Sequence, residues 1–320
     1  MSWQYITEML YNTLVTQSGF LYLSWGNVVM IFISFLFLYL AVAKEYEPLL
    51  LVPIGFGIFL VNFPLVPLMG TTLDGTPHLI EYFYRYGVAS EIIPCIIFLG
   101  IGAMTDFGPL IANPKTLLIG GGAQLGVFIC YIGCLLFSFT LKEASSVAII
   151  GGADGPTTIY LTAKLAPHLL GPTALAAYSY MAMVPLIQPP IMRLLSTPES
   201  RKIKMRQLRP VSAREKVIFP LIASMLILLL FPAVAPLMGL FMLGNFMREC
   251  LVVKRLSDTA QNALINIVTI FLGLSVGATM SAETFLSPKP LLIFGLGLIA
   301  FIFSTIGGML TVHIMNLFLK

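Results

Sequence analysis

Charge is what this 320-residue sequence has least of: only 10% of its residues are Asp, Glu, Lys or Arg, against 58% hydrophobic. Soluble domains carry about 25% charged residues, so the composition excludes a water-solvated globule and calls for lipid. The first 23 residues hold no Lys or Arg ahead of an apolar run, which argues against a secretory signal peptide, and the amino end is expected to stay attached. Histidine is scarce as well. His78, His168 and His313 lie far apart and match no ligand motif, so they predict no metal site. The four cysteines, Cys95, Cys130, Cys134 and Cys250, all fall in or beside apolar stretches and read as small buried apolar residues rather than a disulfide or metal framework.

What charge there is has a place. Between Arg193 and Lys216 lie eight basic residues against two acids, Glu199 and Glu215, in the longest polar stretch of the chain. The positive-inside rule makes this loop cytoplasmic, and because it joins two membrane segments a nucleic-acid role is not expected.

A spanning helix needs about 20 mostly apolar residues. The windows that qualify are 24–43, 48–70, 116–139, 173–195, 217–243, 262–282 and 291–317, with shorter or broken candidates at 91–105 and 145–163. The stretch 71–90, with Asp74, Glu81, Arg85 and several tyrosines, reads as interfacial. The fold class expected is an all-α polytopic membrane protein of about nine segments. Pro53, Gly55, Gly57, Pro64 and the Gly-Gly-Gly at 120–122 interrupt those windows, and broken helices of this kind are typical of transporters.

The chain also resembles itself. FLGIGAMTDFGPLIANPKTLLIGGG at 98–122 aligns with FLGLSVGATMSAETFLSPKPLLIFG at 271–295 at offsets of 173 to 175, and Pro53 and Asn62 have the spacing of Pro236 and Asn245. Two structural repeats, inverted about a midplane site, are the expected plan: a first repeat over 1–192, a basic cytoplasmic loop over 193–216 and a second, incomplete repeat over 217–320.

One acid stands apart. Asp154 lies in a stretch from Ser145 to Ala163 whose only other ionisable group is Tyr160, bracketed by Gly151, Gly152, Gly155 and Pro156. A charge at the bilayer centre costs about 2.5–3.5 kcal/mol even on insertion scales, and is kept where it binds something. The glycines permit an unwound turn and Pro156 cannot donate, so free carbonyls, the carboxylate and the hydroxyls of Thr157 and Thr158 are expected to form a hard-oxygen shell suited to Na+ or a proton. The plainer reading makes Asp154 the N-cap of a half-helix starting at Pro156, and the two roles are compatible. Secondary candidates are Tyr178 and Tyr180, Gln188 before Pro189 and Pro190, Asp106 after a Gly-rich turn, and Asn262 with Asn266. For Asp106 a solvated loop, and for the asparagines interhelical hydrogen bonding, are the competing readings.

GGADGPTTIY at 151–160 resembles the signature of the membrane-embedded beta subunit of sodium-pumping, biotin-dependent decarboxylases, which act on oxaloacetate, glutaconyl-CoA, methylmalonyl-CoA or malonate. The likeness runs through AKEYEPLLLVPIGFG at 43–57, GAMTDFGPLIANP at 102–114, AAYSYMAMVPLIQPPIM at 176–192 and RLSDTAQNALINIVTIFLGLSVG at 255–277. It implies that a carboxyl group carried on biotin by a partner is removed here, with a proton consumed and Na+ driven outward. It places Asp154 at the sodium site, coupled to proton uptake, and Tyr180 with it in the catalytic step, with no biotin attached to this chain. The oxygen shell read from the residues adds Gly151, Gly152, Gly155 and Thr157 to the Na+ site. The partners implied are a biotin carrier protein or domain, a soluble carboxyltransferase alpha subunit and a small membrane gamma or delta subunit, in an oligomer in a bacterial or archaeal cell membrane. Family members continue into a second broken helix, and the repeat puts the counterpart of Asp154 at position 328, so a carboxy-terminally truncated, half-complete site is also expected. The rival readings are a sodium-coupled carboxylate transporter without chemistry, an inactive fragment, or a plain anchor for a soluble decarboxylase.

Overall fold

The computed structural model describes Tyr11, 18–205 and 207–318. Within them every named element is helical, and the only strand-like pairing is an isolated bridge between Thr71 and Pro77. Among the described residues four helices are long and apolar enough to cross a membrane, or up to six if each of two bent pairs is one span. That is fewer than the nine segments expected, because prolines and polar caps cut several apolar windows short.

After a short 3-10 turn at Gly19–Tyr22, the first long described helix is α1 (Trp25–Ala43), started by a reciprocal Ser24–Asn27 capping box. Next comes α2 (Pro48–Val61), which ends where Asn62 and Pro64 follow, so the 48–70 window does not run through as one helix. The 71–90 stretch expected to be interfacial contains α3 (Leu79–Phe83) and a π-helical turn at Tyr84–Val88, and a 63° bend joins it to α4 (Ile92–Met104), the 91–105 candidate. The long apolar pair α5 (Leu117–Ala123) and α6 (Leu125–Leu136) follows.

The 145–163 candidate is not a crossing but a helical hairpin. Helix α7 (Leu141–Ala148), started by a Thr140–Glu143 capping box, runs through a 3-10 turn at Ile149–Gly152 into α8 (Gly155–Leu165). The two ends of the hairpin lie together: the Thr162 hydroxyl donates to the Ser146 carbonyl at 3.4 Å, and His168 Nε2 is 2.9 Å from Glu143 Oε1. Asp154 sits at the tip.

Beyond it run α9 (Leu170–Leu195), the basic loop, and α10 (Ala213–Leu230), capped by Ser212 and Glu215. The 217–243 window is split at Phe231, where Pro232 and Pro236 start a 3-10 turn and then α11 (Ala235–Glu249). A second π-helical turn, Ala260–Leu264, precedes α12 (Ile265–Ala278), and α13 (Pro288–Phe318) closes the described chain.

Helix pairs close at small residues, as they must where lipid gives no hydrophobic drive to association. A Cβ on Gly57 of α2 would lie 2.5 Å from the Leu274 carbonyl of α12, and one on Gly244 of α11 would lie 2.0 Å from the Leu99 carbonyl of α4. The α5–α6 pair and α13 cross antiparallel: Gly122 of α5 abuts Gly307, and Gly126 and Gly133 of α6 abut Ala300 and Leu296. Two fully buried asparagines tie the same pairs. Asn62 donates to the carbonyls of Ile58 and Met280 and accepts from the Ala282 N–H, while Asn245 donates to those of Gly102 and Thr105. Cys95, Cys130 and Cys134 are buried and Cys250 half-buried, as the apolar reading requires.

Candidate functional site at the hairpin tip

The carbonyl end of α7 and the N–H end of α8 meet between residues 149 and 155, so opposite ends of two half-helix dipoles converge there. Asp154 is the N-cap of α8. Its Oδ1 accepts the Thr157 N–H at 3.3 Å, its other carboxylate oxygen accepts the Thr157 hydroxyl, and its carbonyl takes the Thr158 hydroxyl at 2.7 Å. The capping role is therefore present. The carboxylate is half-buried, and Gly152 and Ala153 beside it are exposed.

The glycines work differently from the expectation. The one left-handed residue of the turn is Ala153 (φ 55°), not a glycine. Gly151 and Gly155 serve close approach instead: a Cβ on Gly151 would meet the Val127 amide nitrogen at 2.7 Å, and one on Gly155 would meet Tyr178 Cε1 at 2.2 Å. Gly152 borders open space.

The two tyrosines separate. Tyr178 is fully buried against Gly155, its hydroxyl has no hydrogen-bond partner among the described residues, and it lies within the electrostatic reach of both Asp154 and Glu47. Tyr180 donates its hydroxyl to the Phe294 carbonyl of α13 and packs on Phe294 and Phe301. The structure thus brings Asp154, Gly151, Gly155, Thr157, Thr158 and Tyr178 together. No hydrogen bond among the described residues links the other candidates to them. Asp106 pairs with Lys216 at 2.9 Å and accepts the Gly108 N–H, and those contacts, the Gly108 N–H first, hold its carboxyl below the usual range. Asn262 is exposed and donates to the Asp258 carbonyl. Gln188 lines a small cavity with Ala123, Ser304 and Thr305.

Sequence reading missed the groups at the open end of the hairpin. Glu143 is 5% exposed, and accepts from Lys289 Nζ at 2.7 Å and from the Thr140 N–H at 2.9 Å. On the far side of α8, Lys164 pairs with Glu91 at 3.5 Å. The Thr-x-x-Glu spacing signals the Glu143 cap, but partners 25 and 146 residues away leave no local trace. A cavity of about 820 Å3 opens elsewhere, beside the basic loop, and is lined by Asn113, Arg193, Arg201 and His313 among others.

Comparison with known proteins accounts for nearly the whole chain. The family model described as the Na+-transporting oxaloacetate decarboxylase beta subunit matches residues 26–320. The chain is 54% identical over 318 residues to the methylmalonyl-CoA decarboxylase subunit beta of Propionigenium modestum, covering 93% of this chain and 80% of that one. It is 53% identical over 304 residues to the glutaconyl-CoA decarboxylase subunit beta of Acidaminococcus fermentans, covering 95% and 80%. To the oxaloacetate decarboxylase beta chain of Klebsiella pneumoniae it is 47% identical over 363 residues, covering 96% and 84%. These matches, spanning the hairpin and both helix pairs around it, make the chain a member of the Na+-transporting decarboxylase beta-subunit family.

Proposed function

We propose that this chain removes the carboxyl group from biotin carried by a partner protein and couples that step to outward Na+ transport, with Asp154 at the exchange point. The observation that carries the reading is the half-buried Asp154 carboxylate at the tip of a hairpin whose two ends meet on one side of the molecule. With the basic loop in the cytoplasm, α9 begins on the outer side, and so do both ends of the hairpin. Helix α8 has 11 residues, about 16 Å, roughly half of a 30 Å hydrocarbon core, and that length supports a position for Asp154 near the midplane.

The internal repeat belongs to this reading. Gly126 meets Ala300, the residue 174 positions later, and the Gly122–Gly307 and Gly133–Leu296 contacts exchange under that same offset. Helix α2 packs on α12 while α11 packs on α4, as swapped copies would, and a π-helical turn precedes both α4 and α12. Two equivalent helices that cross antiparallel are related by an axis perpendicular to both, which in a bilayer lies in its plane, and this supports reading the copies as inverted.

The chemistry follows from desolvation. Decarboxylation breaks the bond between the carboxyl carbon and the biotin nitrogen, CO2 departs, and the nitrogen takes a proton. At Asp154 either Na+ or H+ removes the penalty of a buried carboxylate, so the two compete for one site. Thr157 and the backbone of Gly151, Gly152 and Gly155 supply further oxygens for Na+. Tyr178, against Gly155, and Tyr180, also on α9 and hydrogen-bonded to the Phe294 carbonyl of α13, are the phenols offered to the proton step. Arg193 and Arg201 in the cavity beside the basic loop offer guanidinium groups to an arriving carboxylate. The carboxyltransferase alpha subunit, biotin carrier and small membrane subunit are the partners this role requires, in a cell membrane.

The test is Asp154→Asn in the assembled complex: Na+-stimulated loss of CO2 from the carboxylated biotin carrier is expected to disappear. Retention of sodium dependence would refute the assignment. Sodium-coupled uptake of a carboxylate with no CO2 release would instead mark a secondary transporter.

A further inference from the structure

Five side-chain hydroxyls are buried with no hydrogen-bond partner among the described residues: those of Tyr160, Thr173, Tyr178, Ser179 and Ser275. A buried polar group left dry costs about 1–3 kcal/mol, and native interiors meet such groups with water or an ion. Two of the five bracket α8. Tyr178 abuts Gly155 beside Asp154, and Tyr160 lies further along the helix toward its outer end.

Helix α8 has two faces. Ile159 and Ala163 pack into the same core as Leu175 and Tyr178. Thr157, Tyr160 and Lys164, three and then four residues apart, form a polar stripe on another side. The stripe starts at Asp154, which accepts the Thr157 hydroxyl. It ends at Lys164, whose Nζ lies 3.5 Å from Glu91 Oε1 and 5.5 Å from the centre of the Tyr160 ring. Exposure falls along this line: the Lys164 side chain is 50% exposed, that of Glu91 24%, and Tyr160 8%. The Glu91 carboxylate lies close enough to the Tyr160 hydroxyl for the two to interact, directly or through one bridging water. Cys95, one turn along α4 from Glu91, is near enough to feel both Glu91 and Lys164.

We propose that this stripe is the outer half of a hydrated proton route, with the Glu91–Lys164 pair as its mouth, Tyr160 as its relay and Asp154 as its end. The proposal rests on the function proposed above and adds the residues by which a proton arrives from the outer side. Proton number is conserved: Tyr160 passes its proton inward along the water chain and takes one from the Glu91 side.

A structural role makes the opposite forecast, because removing an unpaired hydroxyl from a dry core is neutral or favourable. In the complete complex, reconstituted in sealed vesicles, Tyr160→Phe is therefore expected to keep its melting temperature. Na+-dependent decarboxylation and the accompanying proton uptake should slow about tenfold or more. Wild-type rates in Tyr160→Phe alongside an inactive Asp154→Asn would overturn the route alone, whereas an active Asp154→Asn would overturn the function reading itself.

Discussion

The Tyr178 ring fills the space that a side chain on Gly155 would need, with Cε1 2.2 Å and the hydroxyl oxygen 2.8 Å from where a Cβ would stand. A glycine that touches a buried phenol directly beside Asp154 links the hairpin tip to α9, so movement of either is felt by the other.

That contact ranks the three glycines of the tip. Gly155→Ala must displace Tyr178, and Gly151→Ala must push against the backbone at Gly126 and Val127, whereas Gly152→Ala meets nothing within 4 Å. Overpacking of this kind costs about 1–3 kcal/mol. Gly155→Ala and Gly151→Ala are expected to lower both thermal stability in detergent and Na+-dependent decarboxylation, and Gly152→Ala to leave stability near that of the unsubstituted protein. Equal melting temperatures for all three would contradict the packing described.

The hydropathy windows located α1, the α5–α6 pair, α12 and α13 because an apolar run of some 20 residues is a local property. The split at Phe231 was legible in principle, since Pro232 and Pro236 are in the sequence, but hydropathy averages over prolines. The hairpin was less accessible. An apolar stretch with a break in it reads the same whether the chain crosses or turns back, and only the Ser146–Thr162 and Glu143–His168 contacts distinguish the two. At the tip, Asp154 was conspicuous because its residue type conflicts with its surroundings. The glycines were noticed for the wrong reason: sequence shows that a residue lacks Cβ, not whether that absence serves a φ angle or a neighbour.

Asn62 and Asn245 provide a test of how the two helix pairs are tied. Asn62 satisfies one N–H and two carbonyls, among them the Met280 carbonyl and Ala282 N–H just beyond α12, whereas Asn245 binds only carbonyls. Carbonyls have spare lone pairs and tolerate loss better than a stranded N–H. Asn62→Leu is expected to cost about 2–4 kcal/mol and Asn245→Leu about 1–3 kcal/mol, from the cost of each unpaired buried group. Thermal unfolding in detergent reads the difference, and the reverse order would contradict this account.

The last prediction concerns acid. Burial alone would raise the Glu143 carboxyl, but the Lys289 ammonium, the Thr140 N–H and hydroxyl and His168 outweigh it and hold it at about 2, against an ordinary value of 4.5. A carboxyl depressed on folding contributes stability that is complete above its unfolded value and is lost as pH falls toward its folded one. The protein should therefore lose melting temperature between about pH 5 and pH 2, and Glu143→Gln should flatten that part of the profile while costing about 1–3 kcal/mol at neutral pH. Lys289→Met should shift the loss to higher pH, because it removes the strongest contact that keeps the carboxyl ionised. Lys289 sits at the start of α13 and Glu143 at the start of α7, so the pair fastens the hairpin to the helix that Tyr180 also binds. An acid limb unchanged in Glu143→Gln would assign that loss to other carboxylates and leave the fastening role unsupported.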